Sequence, residues 1–260
     1  MSSPAALFRL ENKVALVTGG YGGIGATAAD GLAAMGAKVV VAGRDAEKAE
    51  RRAAEIRAQG HDAFGIAFDA LSVSDTRRMV DDIAARYGRL DILVNTVGGQ
   101  LEETAEQVTE ENFTLVFELN LKAAMFQAQA AAKHMVAGGA GGKQVHFGSV
   151  RSQLALRGRG FAAYCAAKGG LSIMCRQLAA EWAPHRINVN VLAPTFVRTA
   201  QAAKWLDDPE FYRNIVSRIP MGRVAETEDI LGAVLFFVSP ASDFITGQTL
   251  YLDGGLTITQ

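Results

Sequence analysis

An apolar run, Val14-Ala15-Leu16-Val17, passes directly into Thr18-Gly19-Gly20-Tyr21-Gly22-Gly23-Ile24-Gly25, and residues 26–35 then follow a helical pattern until Gly36. A strand that is apolar at every position is buried on both faces, so it belongs inside a parallel sheet covered by helices on each side. The glycines after it let the backbone come close to a pyrophosphate. A helix starting there offers free N–H groups and the positive end of its dipole to that charge. A glycine-rich turn alone often does no more than pack a helix on a strand; here the strand before it and the helix after it are both present.

The same rhythm continues. Apolar or β-branched runs recur at 39–41, 63–68, 92–95, 145–147, 188–192 and 249–252, with Ala-rich helical stretches between most of them. Strands alternating with helices predict one α/β domain over 1–260. Its core is a doubly wound parallel sheet of about seven strands with helices on both faces. The Gly138–Gly142 cluster reads as a loose turn. More than thirty residues separate the strand near Leu192 from the helix near Asp229, and loops that long in a compact domain are usually functional.

Composition narrows the function classes. With 49% apolar residues, a formal net charge of −1 and no basic stripe, the chain offers no nucleic-acid surface, and its partners are expected to be small molecules. Residues 1–10 read as neither a leader nor a membrane span. Cys165 and Cys175, on one predicted helix, stand roughly 15 Å apart along its axis and cannot pair, so a reducing, cytoplasmic setting is expected. His61, His134, His146 and His185 show no ligand spacing, and no metal site is expected.

Two further features carry chemistry. Tyr164 and Lys168 lie four apart, on one face if 161–183 is helical. An ammonium beside a phenol favours the phenolate, so Lys168 is expected to bring Tyr164 down from its ordinary value of about 10. After the second strand, where an acidic residue would hold the 2′-hydroxyl of NAD, the chain has Gly43-Arg44. An arginine there can hold a 2′-phosphate, which favours NADP over NAD, with Asp45 next door as the opposing feature.

With Thr18-Gly19-x3-Gly23-x-Gly25 and Tyr164-x3-Lys168 about 140 residues apart in this order, the chain resembles the short-chain dehydrogenases/reductases of the roughly 250-residue type over nearly its whole length. The resemblance implies a Rossmann-like fold and hydride transfer between NADP(H) or NAD(H) and a carbonyl or secondary alcohol. It implies Tyr164 as proton donor and acceptor, and Lys168 on the nicotinamide ribose. Ser149 would sit on the substrate oxygen, and Asn120 would hold a water that leads to Lys168. Cofactor contacts are implied for Gly19, Tyr21, Gly23, Ile24 and Gly25 in the turn, and for Arg44, Asp69, Ala70 and Asn95 after the second, third and fourth strands. Beyond Tyr164 and Lys168 they are implied for Pro194, Val197 and Thr199 after the sixth. A homotetramer and a substrate lid over 196–222 complete what the resemblance implies.

The chain departs from the family pattern at Asn95-Thr96-Val97-Gly98, at Pro194-Thr195 and at the serine. The usual serine position, about thirteen before the tyrosine, holds Arg151, bracketed by Ser149 and Ser152. Ser149 is preferred because it follows the fifth strand, with a longer loop through 154–160 taking up the offset. Arg151, Arg157 and Arg159 can receive a substrate anion but read first as loop solvation. His146 and Cys165 read as packing. Within the family, a 3-oxoacyl carrier-protein reductase and a sugar or polyol dehydrogenase stay open. Outside catalysis, a dinucleotide sensor is the alternative.

Overall fold

The computed structural model describes residues 4–259. Residues 1–3, at the start of the stretch expected to be neither leader nor span, lie outside it. Seven parallel strands form one sheet among the described residues. They are β1 (Val14–Thr18), β2 (Lys38–Gly43), β3 (Ala63–Ala67), β4 (Ile92–Asn95), β5 (Gly142–Phe147), β6 (Ile187–Pro194) and β7 (Thr249–Leu252), in the order β3-β2-β1-β4-β5-β6-β7. From β3, at one edge, the chain returns to lay β4 against β1, so the direction of winding reverses between those two strands. In open α/β sheets the ligand crevice lies at such a reversal, outside the carboxyl ends of the strands.

Successive side chains of a strand point to opposite faces, and both faces of this sheet are covered. Val14, Leu16, Val40 and Leu93 meet α3 (Val73–Tyr87), α5 (Ala123–Gly138) and α6 (Ala162–Trp182) through Ile83, Ala128 and Leu171. Ala15, Val17, Val39 and Val41 meet α1 (Gly23–Ala34), α2 (Ala46–Ala58) and α9 (Thr227–Val238) through Leu32, Ile56 and Val234. This explains why the strands are apolar throughout rather than alternating.

Helix α4 (Glu110–Phe117) starts where the Thr109 hydroxyl accepts from the Asn112 N–H. A π-helical turn at Glu118–Lys122 then joins α4 to α5 and carries Asn120. The glycine cluster before β5 turns at Gly139 and Gly141, both with positive φ, and Gly142 already belongs to the strand. The long insertion folds as α7 (Ala200–Leu206) and α8 (Pro209–Val216). Its Leu206, Ile215, Ile219 and Val224 form a small apolar cluster with Val150 and Leu256, separate from the two main cores.

Candidate active site

A cleft of about 720 Å³ opens where the strands end, from Gly19 and Arg44 at one extreme to Trp205 and Phe211 at the other. At the first extreme the glycine turn is sterically required. Gly19 has φ +74° and donates its N–H to the Ala42 carbonyl at 2.8 Å, and a Cβ on Gly25 would stand 2.2 Å from the Gly19 oxygen. Gly22 caps α1 without any side-chain hydrogen bond, so the first N–H groups of that helix have no side-chain partner. By contrast Asp45, Ser72 and Thr109 cap α2, α3 and α4 with their side chains. Tyr21, Gly23 and Ile24 line the cleft beside this turn.

Arg44 stands exposed at the end of β2 and lines the cleft. The neighbouring Asp45 carboxylate is committed elsewhere. It accepts from the Lys48 N–H at 3.0 Å and pairs with the Lys48 ammonium at 3.1 Å, and the backbone hydrogen bond is the first reason its carboxyl lies below the ordinary range. Asp69 and Ala70 follow β3 on the cleft wall, with Asp69 Oδ1 accepting from the Leu71 N–H at 2.9 Å. A glycine-rich turn, a helix start without a side-chain cap and, among the described residues, an Arg44 guanidinium without an ion-pair partner fit a dinucleotide phosphate chain and a 2′-phosphate.

Asn95 and Asn120 are buried and lie outside the cleft lining. Asn95 Oδ1 accepts from the Val97 N–H at 3.0 Å, with the Thr18 hydroxyl 3.2 Å away, while its Nδ2 lies 3.3 Å from His146 Nδ1. Asn95 therefore turns the chain after β4. His146 is fully buried in β5 and pushed down to about 4 by desolvation, so it stays neutral, a packed and hydrogen-bonded residue as expected. Asn120 donates through Nδ2 to the carbonyls of Gly99 at 2.7 Å and Val116 at 2.8 Å, and its Oδ1 accepts from the Gly99 N–H at 3.2 Å. Both Nδ2 hydrogens are thereby used, and the side chain clamps the 98–99 loop. Gly98 passes so close that a Cβ there would be 2.9 Å from Asn120 Oδ1 and 3.2 Å from Lys168 Nζ.

Helix α6 places Tyr164 and Lys168 on one face, with Nζ 5.7 Å from the phenol ring centroid. The expected electrostatics are not found. Nζ donates to the Phe147 carbonyl at 2.7 Å, and burial pushes Lys168 down to about 8. Tyr164 is pushed up to about 12, because desolvation outweighs the Ser149 hydroxyl and the Arg151 guanidinium, which pull it down. Spacing brought the ammonium to the ring but not into control of the phenolic oxygen.

The two serines separate cleanly. Ser149 lines the cleft at the end of β5 and its Oγ accepts from the Arg151 N–H at 3.2 Å. Ser152 turns away, its Oγ donating to the Ser149 carbonyl at 2.8 Å and lying 3.3 Å from the Tyr251 hydroxyl. Pro194, Val197 and Thr199 line the cleft after β6, and the Thr199 hydroxyl accepts from the Ala202 N–H at 3.2 Å as the cap of α7.

Comparison with known proteins places this arrangement. The family model described as enoyl-(acyl carrier protein) reductase, a short-chain dehydrogenase/reductase model, matches residues 19–257. Gluconate 5-dehydrogenase of Gluconobacter oxydans (strain 621H) is 37% identical over 262 residues, covering 100% of each chain. The chain belongs to the short-chain dehydrogenase/reductase family. D-threitol dehydrogenase of Mycolicibacterium smegmatis is 36% identical, covering 96% of this chain and 95% of its own. The crystal structure of a gluconate 5-dehydrogenase from Burkholderia cenocepacia J2315, in complex with NADP and tartrate, superposes with a TM-score of 0.95 at 37% identity, over 99% of this chain and 100% of that one. As a short-chain dehydrogenase/reductase, the protein is an oxidoreductase acting on CH–OH or C=O groups.

The loop arginines of this dehydrogenase do not share one role. Arg157 is exposed, as expected for loop solvation. Arg159 pairs with Glu102 and lies over the Phe211 ring, 5.3 Å from its centroid. Arg151 contradicts the solvation expectation: it is 8% exposed and lines the cleft, because the short 3-10 turn at Val150–Ser152 folds it in. No sequence signal separates these three arginines; only the turn does. Thr96 was also missed, and its Oγ1 donates to the Thr18 carbonyl at 2.7 Å beside Gly19. Among the described residues, no group of His, Cys, Asp or Glu is placed to hold a metal, and no helix is long and apolar enough to cross a membrane.

Proposed function

We propose that this protein is an NADP(H)-linked dehydrogenase/reductase of small sugar-derived or polyol-type compounds, with Tyr164 as the proton-transferring group. The observation that carries the proposal is the meeting of Ser149, Tyr164 and Lys168 in a cleft whose far end offers the glycine turn and Arg44. The dehydrogenases reported above, one of them holding NADP, support the same reading.

Gly19, Gly23 and the start of α1 would hold the pyrophosphate, Arg44 the 2′-phosphate, and Lys168 the nicotinamide ribose. When bound, the nicotinamide supplies or accepts the hydride. Tyr164, kept protonated by burial, donates to the carbonyl oxygen in reduction. Ser149 Oγ accepts from the Arg151 N–H and its hydroxyl faces the Tyr164 phenol, so a bound carbonyl oxygen would receive both hydroxyls. In alcohol oxidation Tyr164 must act as phenolate. Burial opposes that form, so the oxidation is expected to strengthen as pH rises while reduction does not.

We take residues 1–260 as one domain in which 196–222 covers the substrate, since Trp205 and Phe211 of that segment line the cleft. We also infer a homotetramer, because α4 and α6 leave Phe113, Leu115 and, at 61% exposure, Ile173 uncovered in a single copy; sedimentation giving a stable monomer would remove this. The unpaired thiols Cys165 and Cys175 fit a reducing, cytoplasmic compartment. The test of the activity is oxidation of NADPH and NADH against keto-sugars, keto-acids, diketones and acetoacetyl esters. Turnover of a keto-sugar or keto-acid with NADPH is expected. No turnover with any carbonyl compound would overturn the proposal.

A further inference from the structure

We propose that Arg151 selects an anionic substrate, by holding a carboxylate of the same molecule whose carbonyl reacts at Tyr164. The assignment rests on the carbonyl-reductase activity proposed above and adds the substrate's charge to it.

Arg151 is a cation taken out of water without a counter-ion. It is 8% exposed, and among the described residues no carboxylate lies within ion-pair distance of it. Its Nη1 donates to the Leu154 carbonyl at 3.2 Å. The other guanidinium nitrogens meet no protein acceptor, yet they are not sealed off as Arg52 Nε is; the side chain lines the cleft. The titratable groups that face it are Tyr164, Cys165 and Arg218, none of them an anion at neutral pH and one of them a second cation. A desolvated, unpaired charge is costly, and proteins keep one mainly where a ligand completes the pair.

Position excludes the cofactor phosphates as that ligand. Arg151 follows β5 and Arg44 follows β2, with β1 and β4 between them, which puts the two strand ends about 14 Å apart at 4.8 Å per strand. Arg151 belongs to the end where Ser149 and Tyr164 stand. With Nη1 engaged, the free Nε–Nη2 edge is the side of a guanidinium that matches a planar carboxylate with two parallel hydrogen bonds. A phosphate dianion would call for a second free cation beside it: Arg218, which faces Arg151, is exposed and does not line the cleft, Lys168 is engaged by the Phe147 carbonyl, and Arg159 is committed to Glu102.

The experiment compares keto-aldonic acids, 5-keto-D-gluconate among them, each with its methyl ester, in wild type, Arg151→Met and Arg151→Lys. The readout is the acid-to-ester ratio of kcat/KM, in which any effect of Arg151 on the Tyr164 proton cancels. Wild type is expected to favour the acids. Arg151→Met should lower the ratio roughly 10- to 100-fold, the size expected for losing a charge-assisted pair, and Arg151→Lys should recover part of it. In parallel, calorimetry with tartrate on the NADP-loaded protein gives a readout free of turnover, and binding should weaken in Arg151→Met and with added salt. An unchanged ratio, equal tartrate binding in wild type and Arg151→Met, or a phosphorylated ketose preferred over every acid would overturn the inference while leaving the reductase activity intact. If no carbonyl compound is turned over at all, the proposed function falls and the tartrate titration alone decides on Arg151. Should Arg151→Met fail to fold, Arg151→Lys and Arg151→Gln supply the same comparison.

Discussion

Two guanidinium groups mark the two ends of one cleft, and they live under different physics. Arg44 stands in solvent beyond β2, where its charge costs little; Arg151, beyond β5, is almost wholly buried. The titratable groups of β5 and α6 show the effect of burial at this end. Tyr164 is pushed up to about 12, Lys168 down to about 8 and His146 down to about 4, each chiefly by desolvation. One end of the cleft is therefore open to water and its high dielectric. The other is a dry site where protonation is set by burial. Changes at the first should alter affinity, and changes at the second should alter chemistry.

The sharpest way to break this contrast is Tyr164→Phe. It is expected to lower kcat by about 10²- to 10⁴-fold, the range for loss of a general acid, while NADP binding followed by fluorescence stays within twofold. Retained turnover would remove the proton-transfer role. Next in size, Ser149→Ala should cost roughly 10²-fold in kcat, as for loss of one donor to the developing oxyanion, with the KM for NADPH held. Ser152→Ala is the control, and if it were the variant that lost turnover, Ser149 would be the wrong choice.

His146 tests the dry end by stability rather than rate. Above about pH 6.5 the folded and unfolded chains both carry it neutral. Between there and about pH 4 only the unfolded chain takes up the proton, so stability falls as pH falls through this window. The loss attributable to His146 should reach about 3 kcal/mol at the lower limit, read as the difference in urea unfolding between wild type and His146→Gln at pH 7 and pH 4. Equal losses in the two proteins would show that His146 is not the titrating group. The smallest effect is expected at the wet end. Arg44→Gln should raise the KM for NADPH roughly tenfold and leave that for NADH nearly unchanged. Affinity for NAD equal to that for NADP in the wild type would undo the preference itself.

Much of this molecule is legible in its residues. The β1–turn–α1 unit is local: apolar character on both strand faces and glycines where a Cβ would strike backbone decide it within some twenty residues. The Tyr164–Lys168 pair follows from one helical turn. The doubly wound parallel sheet of about seven strands also follows from alternating strands and helices, whereas the strand order comes from the structure. Other parts were not legible. Ser149 and Ser152 differ only in which way a three-residue turn points them. The clamp that the Asn120 side chain makes on the 98–99 loop, through the Gly99 and Val116 carbonyls, is not legible either. The insertion reads as a loop because its two short helices pack in a small cluster of their own, apart from the main core.

The chain's sequence by itself determined the alternation of strands and helices, the glycine turn before α1 and the placing of a phenol and an ammonium on one helix face, because each depends on spacing and periodicity within a few turns or strands. The tertiary structure alone decided the charges. Whether a phenol is acidified or made more basic, and whether an arginine is solvated or stranded without a partner, depends on how much water is excluded by segments far away in sequence. Desolvation is a property of the assembled neighbourhood, and here it outweighs the nearest charge.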